Sequence, residues 1–204
     1  MNCQVRNGPS LGGEHVTDLL VFSFLQLGPS HNFQEELKRL GHTLPAPEGH
    51  TLPVLQGSQE HSEEELQTDG SRCSRFALEG QDRGSETQED VIRNIAQQLA
   101  RIGDVMDRRV PSSLVDHLVV QLRDGSLSDE GRRACLASAV NQVLQACPRD
   151  LEEEKMMLLV TMLLARRVAS HTPSLLPEVF HTTVNFINQN LLTCVRNLVR
   201  NEMD

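Results

Sequence analysis

Five large apolar side chains, Ile92, Ile95, Leu99, Ile102 and Met106, follow one another at spacings of three, four, three and four. On an α-helix this spacing gathers them into one stripe, while Arg93, Gln97, Gln98 and Arg101 fall elsewhere on the cylinder. The chemistry open to such a stripe is recognition. It either faces the chain's own core or lies in a hydrophobic groove of another protein. Gly103 and Asp104 bear on that choice. A glycine inside a helix costs on the order of 1 kcal/mol against alanine. This one sits beside Leu99 and Met106, where a missing side chain permits close approach of another surface. Asp104 puts an acid on the edge of the stripe, within reach of a bidentate arginine on a partner.

Other chemistry finds little support in the residue pattern. The eight histidines (His15, His31, His42, His50, His61, His117, His171, His181) are dispersed and never stand at ligand spacing with cysteines or acids, so no metal site is expected. No Gly-x-Ser-x-Gly elbow and no phosphate-cradling glycine loop is found. Glu152, Glu153 and Glu154 read as a solvated first turn, and the string His181-Thr-Thr reads as helix surface or a local hydrogen-bonding site. No catalytic residue, cofactor or enzymatic activity is expected. Five cysteines (Cys3, Cys73, Cys135, Cys147, Cys194) form an odd, scattered set without a Cys-x-x-Cys pair. Such a set suits a reducing compartment in which buried thiols act as small apolar groups.

The stripe belongs to a chain that reads as helical over most of its length. A helix is expected from Glu14 to Leu27 and a short second one from Phe33 to Leu40, together an N-terminal unit over residues 1–40. From Gly41 to Gly84 prolines, glycines and the acidic run Glu63-Glu64-Glu65 show no helical or strand period. Unstructured connections beyond roughly 12–15 residues are unusual inside a compact domain, so residues 41–84 are expected to form a long mobile loop, with a cryptic strand pair as the alternative. Residues 85–204 follow as a helical part. Ser85-Glu-Thr-Gln88 has the capping-box pattern and opens the striped helix over 88–108. Pro111 stops that helix, Ser112 or Ser113 caps the next, and Ser128 starts another that ends near Cys147.

Asp150 and the glutamates after it open the most apolar helix, which Arg166 and Arg167 are expected to close, acids at the start and bases at the end. A second apolar helix runs from Leu175 to about Gln189 with Pro177 in its first turn, so that 150–189 forms an apolar hairpin. A last helix carries Leu191, Leu192, Val195, Leu198 and Val199. The expected fold is an all-α bundle around a central apolar helix pair, since the 156–165 segment is apolar nearly all round.

Composition narrows the function further. The 204 residues carry a net charge of −9, with 3% aromatic residues and neither Trp nor Tyr. An acidic chain without stacking platforms argues against nucleic-acid binding. The run from Met156 to Ala165 is about half the length needed to span a bilayer. The Met1–Ser10 stretch lacks a basic start leading into an apolar run, so no secretory signal is expected. Asn2 is expected to exclude myristoylation of the intact chain, which therefore reads as soluble and cytosolic.

The string Ile92-Arg-Asn-Ile-Ala-Gln-Gln-Leu-Ala-Arg-Ile-Gly-Asp-Val-Met-Asp107 resembles the third homology motif of the Bcl-2 family. Its four anchors fall on Ile95, Leu99, Ile102 and Met106, with the small and acidic pair on Gly103 and Asp104. Leu66-Gln-Thr-Asp-Gly70, His171-Thr-Pro-Ser-Leu-Leu176 and Val179-Phe-His-Thr-Thr-Val-Asn-Phe-Ile-Asn-Gln-Asn-Leu191 extend the likeness to a pro-apoptotic member of that family over nearly the whole chain. The resemblance implies a Bcl-2-like fold of about eight helices. It also implies a ligand for Bcl-2-family grooves that activates Bax and Bak and engages the anti-apoptotic members. The stripe would be covered by the chain's own helices until activation exposes it.

The resemblance further implies cleavage by an initiator caspase after Asp69, between Asp69 and Gly70. Residues 1–69 carry three Lys and Arg against ten Asp and Glu, net −7, and residues 70–204 carry sixteen against eighteen, net −2. Loss of the acidic piece would lower repulsion from an anionic mitochondrial outer membrane. The new terminus Gly70-Ser-Arg-Cys-Ser74 fits the acylation pattern, with Arg72 and Arg75 as the basic second signal that a single acyl chain needs. Thr68 and Ser71 flank the scissile bond and are candidate phosphorylation sites. The likeness departs around Phe76-Ala-Leu-Glu-Gly-Gln-Asp82, where the Ile-Glu-x-Asp signature cut by granzyme B in relatives is missing. Asp82 is left as a poorer site for that protease.

Overall fold

A run of ten residues from Met156 to Ala165 with one polar interruption has nowhere to go but the centre of a helical protein, and there it lies. The computed structural model describes residues 13–28, 32–44, 87–147 and 152–203. Thr68, Asp69, Gly70, Ser71, Asp82, Ser85 and the rest of the segment 45–86 fall outside the described residues, as do Cys3 and Cys73. Eight α-helices are described: α1 (Gly13–Gln26), α2 (Gln34–Thr43), α3 (Gln88–Met106), α4 (Ser112–Arg123), α5 (Asp129–Gln145), α6 (Glu153–His171), α7 (Leu176–Asn190) and α8 (Leu192–Met203). Short 3₁₀ turns, Asp107–Arg109 and Pro173–Leu175, join α3 to α4 and α6 to α7. No strand occurs among the described residues. The expected all-α bundle is therefore the observed one.

Helix α6 is the axis. Leu158, Leu159, Val160, Met162, Leu163, Leu164 and Ala165 have no exposed surface, and α1, α3, α4, α5 and α7 all pack on this helix. Thr161 interrupts the run but is equally buried, and its Oγ1 donates to the Met157 carbonyl at 2.7 Å. The hydroxyl is thus satisfied within the helix and asks nothing of its neighbours. Helix α7 packs against α6 and adds Leu176, Val179, Phe180 and Ile187 to the core, all at 0% exposure. Glu152, Glu153 and Glu154 are exposed at the start of α6, the solvated turn that their charge requires.

Several boundaries differ from the sequence expectation for identifiable reasons. Helix α2 runs on through Gly41 to Thr43, whose Oγ1 donates to the Leu40 carbonyl at 2.8 Å, so the helix continues past residue 40. The cap of α4 is Pro111, which has no side-chain acceptor, rather than Ser112 or Ser113. Ser128 does cap α5, its Oγ accepting from Gly131 N at 3.2 Å. Arg166 and Arg167 do not close α6. That helix continues to His171, because Val168 and Ala169 beyond them are fully buried and keep the chain in register with the core. Of the string at 181–183, His181 is exposed while Thr182 and Thr183 are buried. The Thr182 hydroxyl donates to the Glu178 carbonyl at 2.8 Å.

The cap of α3 lies two residues after the pattern that suggested it. Thr87 is the cap residue, and Asp90 takes the place expected of Gln88. Thr87 Oγ1 accepts from Asp90 N at 3.4 Å and donates to the Asp90 carboxylate at 2.7 Å, while the Thr87 backbone N–H donates to that carboxylate at 3.3 Å. An aspartate serves as well as a glutamate because the box is drawn tight by the extra hydroxyl bond. The side-chain bond from Thr87, then its backbone bond, hold the Asp90 carboxyl below the ordinary value of 3.8.

Truncating Leu163 to alanine should destabilise the bundle by about 2–5 kcal/mol, the range for a fully buried leucine whose cavity cannot collapse. Urea denaturation with an unchanged slope measures it, and a cost below about 1 kcal/mol would contradict the central placing of α6. The cap makes a second forecast, whose sign follows from the lowered Asp90 pKa. The stability this carboxylate lends to the first turn of α3 is present above about pH 3.8 and lost as pH falls through its lower folded value. Amide exchange at Asp90 and Val91, corrected for intrinsic rates, should therefore accelerate on acidification in the wild type and be pH-independent in Asp90→Asn.

Candidate partner-binding helix

Helix α3 turns its stripe inward. Ile92, Ile95 and Leu99 keep 1%, 4% and 1% of their surface exposed and Met106 keeps 6%, whereas Ile102 is half-buried at the edge. Arg93, Gln97, Gln98 and Arg101 are exposed, as the helical period requires. The buried face is wider than five large side chains suggest. Val91, Ala96 and Ala100 join it, so that doublets 91–92, 95–96 and 99–100 repeat every four residues down the helix. Counting alanine among the apolar positions would have found this broader face in the sequence. On the outer side, Gln98 Nε2 donates to Glu202 of α8 at 3.2 Å.

The main neighbour of α3 is α1, with α8 and α6 completing the cover. Gly103 is a point of close contact. A Cβ built there would stand 3.3 Å from Cζ of Phe24 in α1 and 3.5 Å from Cδ1 of Leu159 in α6. The glycine that costs the helix propensity is thus what admits the Phe24 ring, itself at 0% exposure. The sequence placed a close approach at this position but could not name Phe24 as the group that makes it.

Asp104, next along, is half exposed, and its carboxylate meets a guanidinium from the same chain. Arg166 Nη2 lies 2.9 Å from Asp104 Oδ1 and 3.9 Å from Asp107 Oδ1. Arg167 Nη1 lies 3.3 Å from Asp107 Oδ2, and Arg167 Nη2 donates to the Val110 carbonyl at 3.2 Å. The two partners of the first pair differ sharply in environment, with 4% of the Arg166 side chain exposed against 52% of Asp104. The Arg166 guanidinium carbon also stands 5.1 Å from the centre of the Phe24 ring, a cation–π distance. The stripe residues, Gly103 and Asp104 are therefore brought together with two residues that sequence reading missed, Phe24 and Arg166. A signal for Arg166 was present: apolar Val168 and Ala169 follow the basic pair, which is unlike a helix end.

Among the described residues no group of histidines, cysteines or acids is placed to hold a metal ion. His171 Nε2 pairs with Asp116 Oδ1 at 3.0 Å and joins the end of α6 to α4. Cys135, Cys147 and Cys194 are free thiols. Burial, with Glu154 and Glu152 nearby, pushes the Cys194 thiol up. No helix among the described residues is long and apolar enough to cross a membrane.

Comparison with known proteins assigns the chain to a family. A family model described as BH3 interacting domain (BID) matches residues 3–201. A BH3-interacting domain death agonist from Mus musculus is 54% identical over 205 residues, covering 100% of this chain and 100% of the relative. A BH3-interacting domain death agonist from Gallus gallus is 37% identical over 191 residues, covering 94% of this chain and 96% of the relative. With the family model matching residues 3–201, and relatives from a mammal and a bird aligned over 100% and 94% of the chain, this protein belongs to the BH3-interacting domain (BID) family.

Proposed function

We propose that the chain is a latent pro-apoptotic interaction protein rather than an enzyme, and that α3 is its ligand for the hydrophobic grooves of Bcl-2-family proteins. One observation carries the reading. The inward stripe of α3 that matches the motif, ending beside Gly103, is packed against the chain's own α1, α6 and α8, with Ile102 and Asp104 at its edge. Two relatives that match over 100% and 94% of the chain bear the name death agonist, which supports the same assignment. The anchors are Ile95, Leu99, Ile102 and Met106, flanked by Ile92, and Asp104 supplies the acid for a partner's arginine. Burial of four such side chains is worth roughly 6–12 kcal/mol gross before ordering costs are subtracted. That scale is sufficient for tight helix-in-groove binding to anti-apoptotic members and for engagement of Bax and Bak.

Exposure of α3 requires its cover to leave. An initiator caspase cutting between Asp69 and Gly70 separates the acidic residues 1–69, which include α1 and α2, from residues 70–204. Acylation of the new Gly70 terminus beside Arg72 and Arg75 would then hold the larger piece on the anionic mitochondrial outer membrane. There it promotes permeabilisation and cytochrome c release. A second reading rests on α6 and α7. Their apolar surfaces supply about a third of the buried hydrophobic residues, and once uncovered they could act on lipid directly while groove binding stays secondary.

A peptide spanning 88–108 should bind a Bcl-2-like groove protein in calorimetry. Leu99→Ala should cost at least about 2 kcal/mol as a hot spot, and Gly103→Glu should abolish binding through bulk and a desolvated charge. Failure of the unsubstituted peptide to bind would falsify the ligand assignment. Full permeabilisation of mitochondria by cleaved protein carrying Gly103→Glu would favour the lipid reading. Phosphate on Thr68 or Ser71 places charge beside the protease subsites, so phosphorylated peptides over 60–78 should be cut by an initiator caspase several-fold more slowly than plain ones. Equal rates would remove phosphorylation as a brake.

A further inference from the structure

The acid of α3 that would meet a partner's arginine already has one. We propose that Arg166 is an internal stand-in for that arginine: a latch from α6 that holds Asp104 while α3 is covered, and that α1 keeps dry. The inference rests on the reading of α3 as a groove ligand and adds a device that keeps the ligand in place.

Three features of the contact point to a latch rather than to incidental pairing. First, the side of the guanidinium away from the acids of α3 meets the N-terminal part of the chain. The Phe24 ring stands 5.1 Å from its central carbon. Behind it the chain passes at Gly28, where a Cβ would approach Arg166 Cδ to 2.8 Å. Only a residue without a side chain leaves that path open. Second, the same Phe24 ring fills the space left by Gly103, so one side chain of α1 bears both on the glycine of the binding face and on the cation that engages its neighbouring acid. Third, the contact is incomplete. Arg166 reaches Asp104 through Nη2 alone at 2.9 Å, its link to Asp107 is long at 3.9 Å, and the buried Nη1 has no hydrogen-bond partner. A fork-on-fork arginine–carboxylate pair makes two parallel bonds. A partner's arginine able to make both would therefore offer Asp104 more than Arg166 does.

The physical consequence is a coupling between α1 and the end of α3. With α1 in place the guanidinium side chain is 4% exposed, and its attraction to the acids acts in a medium of low polarity. Removing Phe24 and the chain at Gly28 wets the guanidinium, reduces the pair to a screened surface contact, and frees Asp104 at the moment the space against Gly103 opens. Arg167, which ties Asp107 and the Val110 carbonyl, is a second and more exposed arm of the same connection.

The test uses the full, uncut chain. In Arg166→Met, which substitutes an apolar side chain at a buried ionic site, amide exchange over 103–110 read by mass spectrometry should rise roughly three- to tenfold, the effect expected of losing a charge-assisted bond to a half-exposed acid. Binding of the uncut chain to a Bcl-2-like groove protein should rise by a similar factor. Exchange and binding unchanged in Arg166→Met, with the 88–108 peptide binding normally, would overturn the latch and leave the ligand reading intact. A peptide that does not bind would overturn the ligand reading instead, while exchange alone still decides whether Arg166 restrains the end of α3. If Arg166→Met accelerates exchange throughout the bundle, Asp104→Asn breaks the same contact from the solvent side. Exchange over 164–169 should then rise with the rest of the core at wild-type rates, and unchanged exchange there would again sink the latch.

Discussion

The approach of α1 to α3 at Gly103 is the contact on which the rest of this structure depends. Phe24 lies against the bare backbone of Gly103 and under the Arg166 guanidinium, so three helices from distant parts of the chain are joined at one aromatic ring. A large side chain at residue 103 would force α1 away and leave Leu20, Val21 and Leu25, now at 1% exposure or less, without their packing. The 1 kcal/mol or so of helix propensity forgone at a glycine is small against the burial of even one of those side chains at roughly 1.5–3 kcal/mol. Glycine is therefore the stable choice for the folded monomer, quite apart from what it allows a partner to do.

The same numbers explain why the apolar stripe of α3 stays covered. Ile92, Ile95, Leu99 and Met106 gain about as much from burial against α1, α6 and α8 as they would in another protein's groove, since the hydrophobic term depends on area removed from water and not on whose atoms remove it. The internal cover is tethered and acts at high effective concentration, whereas a partner pays the entropy of association. With equal contact areas the internal arrangement wins. A change that converts the tether from intramolecular to intermolecular, such as a break in the chain between α2 and α3, reverses that advantage without altering any contact in the bundle.

How much of this was legible in the residues can be argued position by position. The stripe, the all-α class, the central place of 156–165 and the cap at Ser128 follow from period, composition and local hydrogen-bonding rules, which act over a few residues and are visible in a linear string. The cap of α3 was misplaced by two residues because Ser85 and Thr87 carry the same capping chemistry, and the choice between them is made by Asp90. Arg166 and Arg167 were misjudged for a deeper reason. A basic pair after an apolar run matches the dipole rule for a helix end, and only the tertiary position of Asp104, Asp107 and Phe24 shows that a buried cation is tolerated there. Local rules have no access to partners some 60 to 140 positions away in the chain.

That limit also shapes what α6 can do. Its residues from Leu158 to Ala165 have no exposed surface while the bundle is closed, so any action of this helix on a lipid surface needs the bundle to open first. Opening that begins at α1 removes the main neighbour of α3 and the aromatic wall beside Arg166 in one step, because Phe24 of α1 touches both Gly103 and the guanidinium. On the reading proposed above, groove binding by α3 and lipid contact by α6 would not await separate signals. They would use two surfaces of one core, and the helix whose departure uncovers the first would also loosen the second.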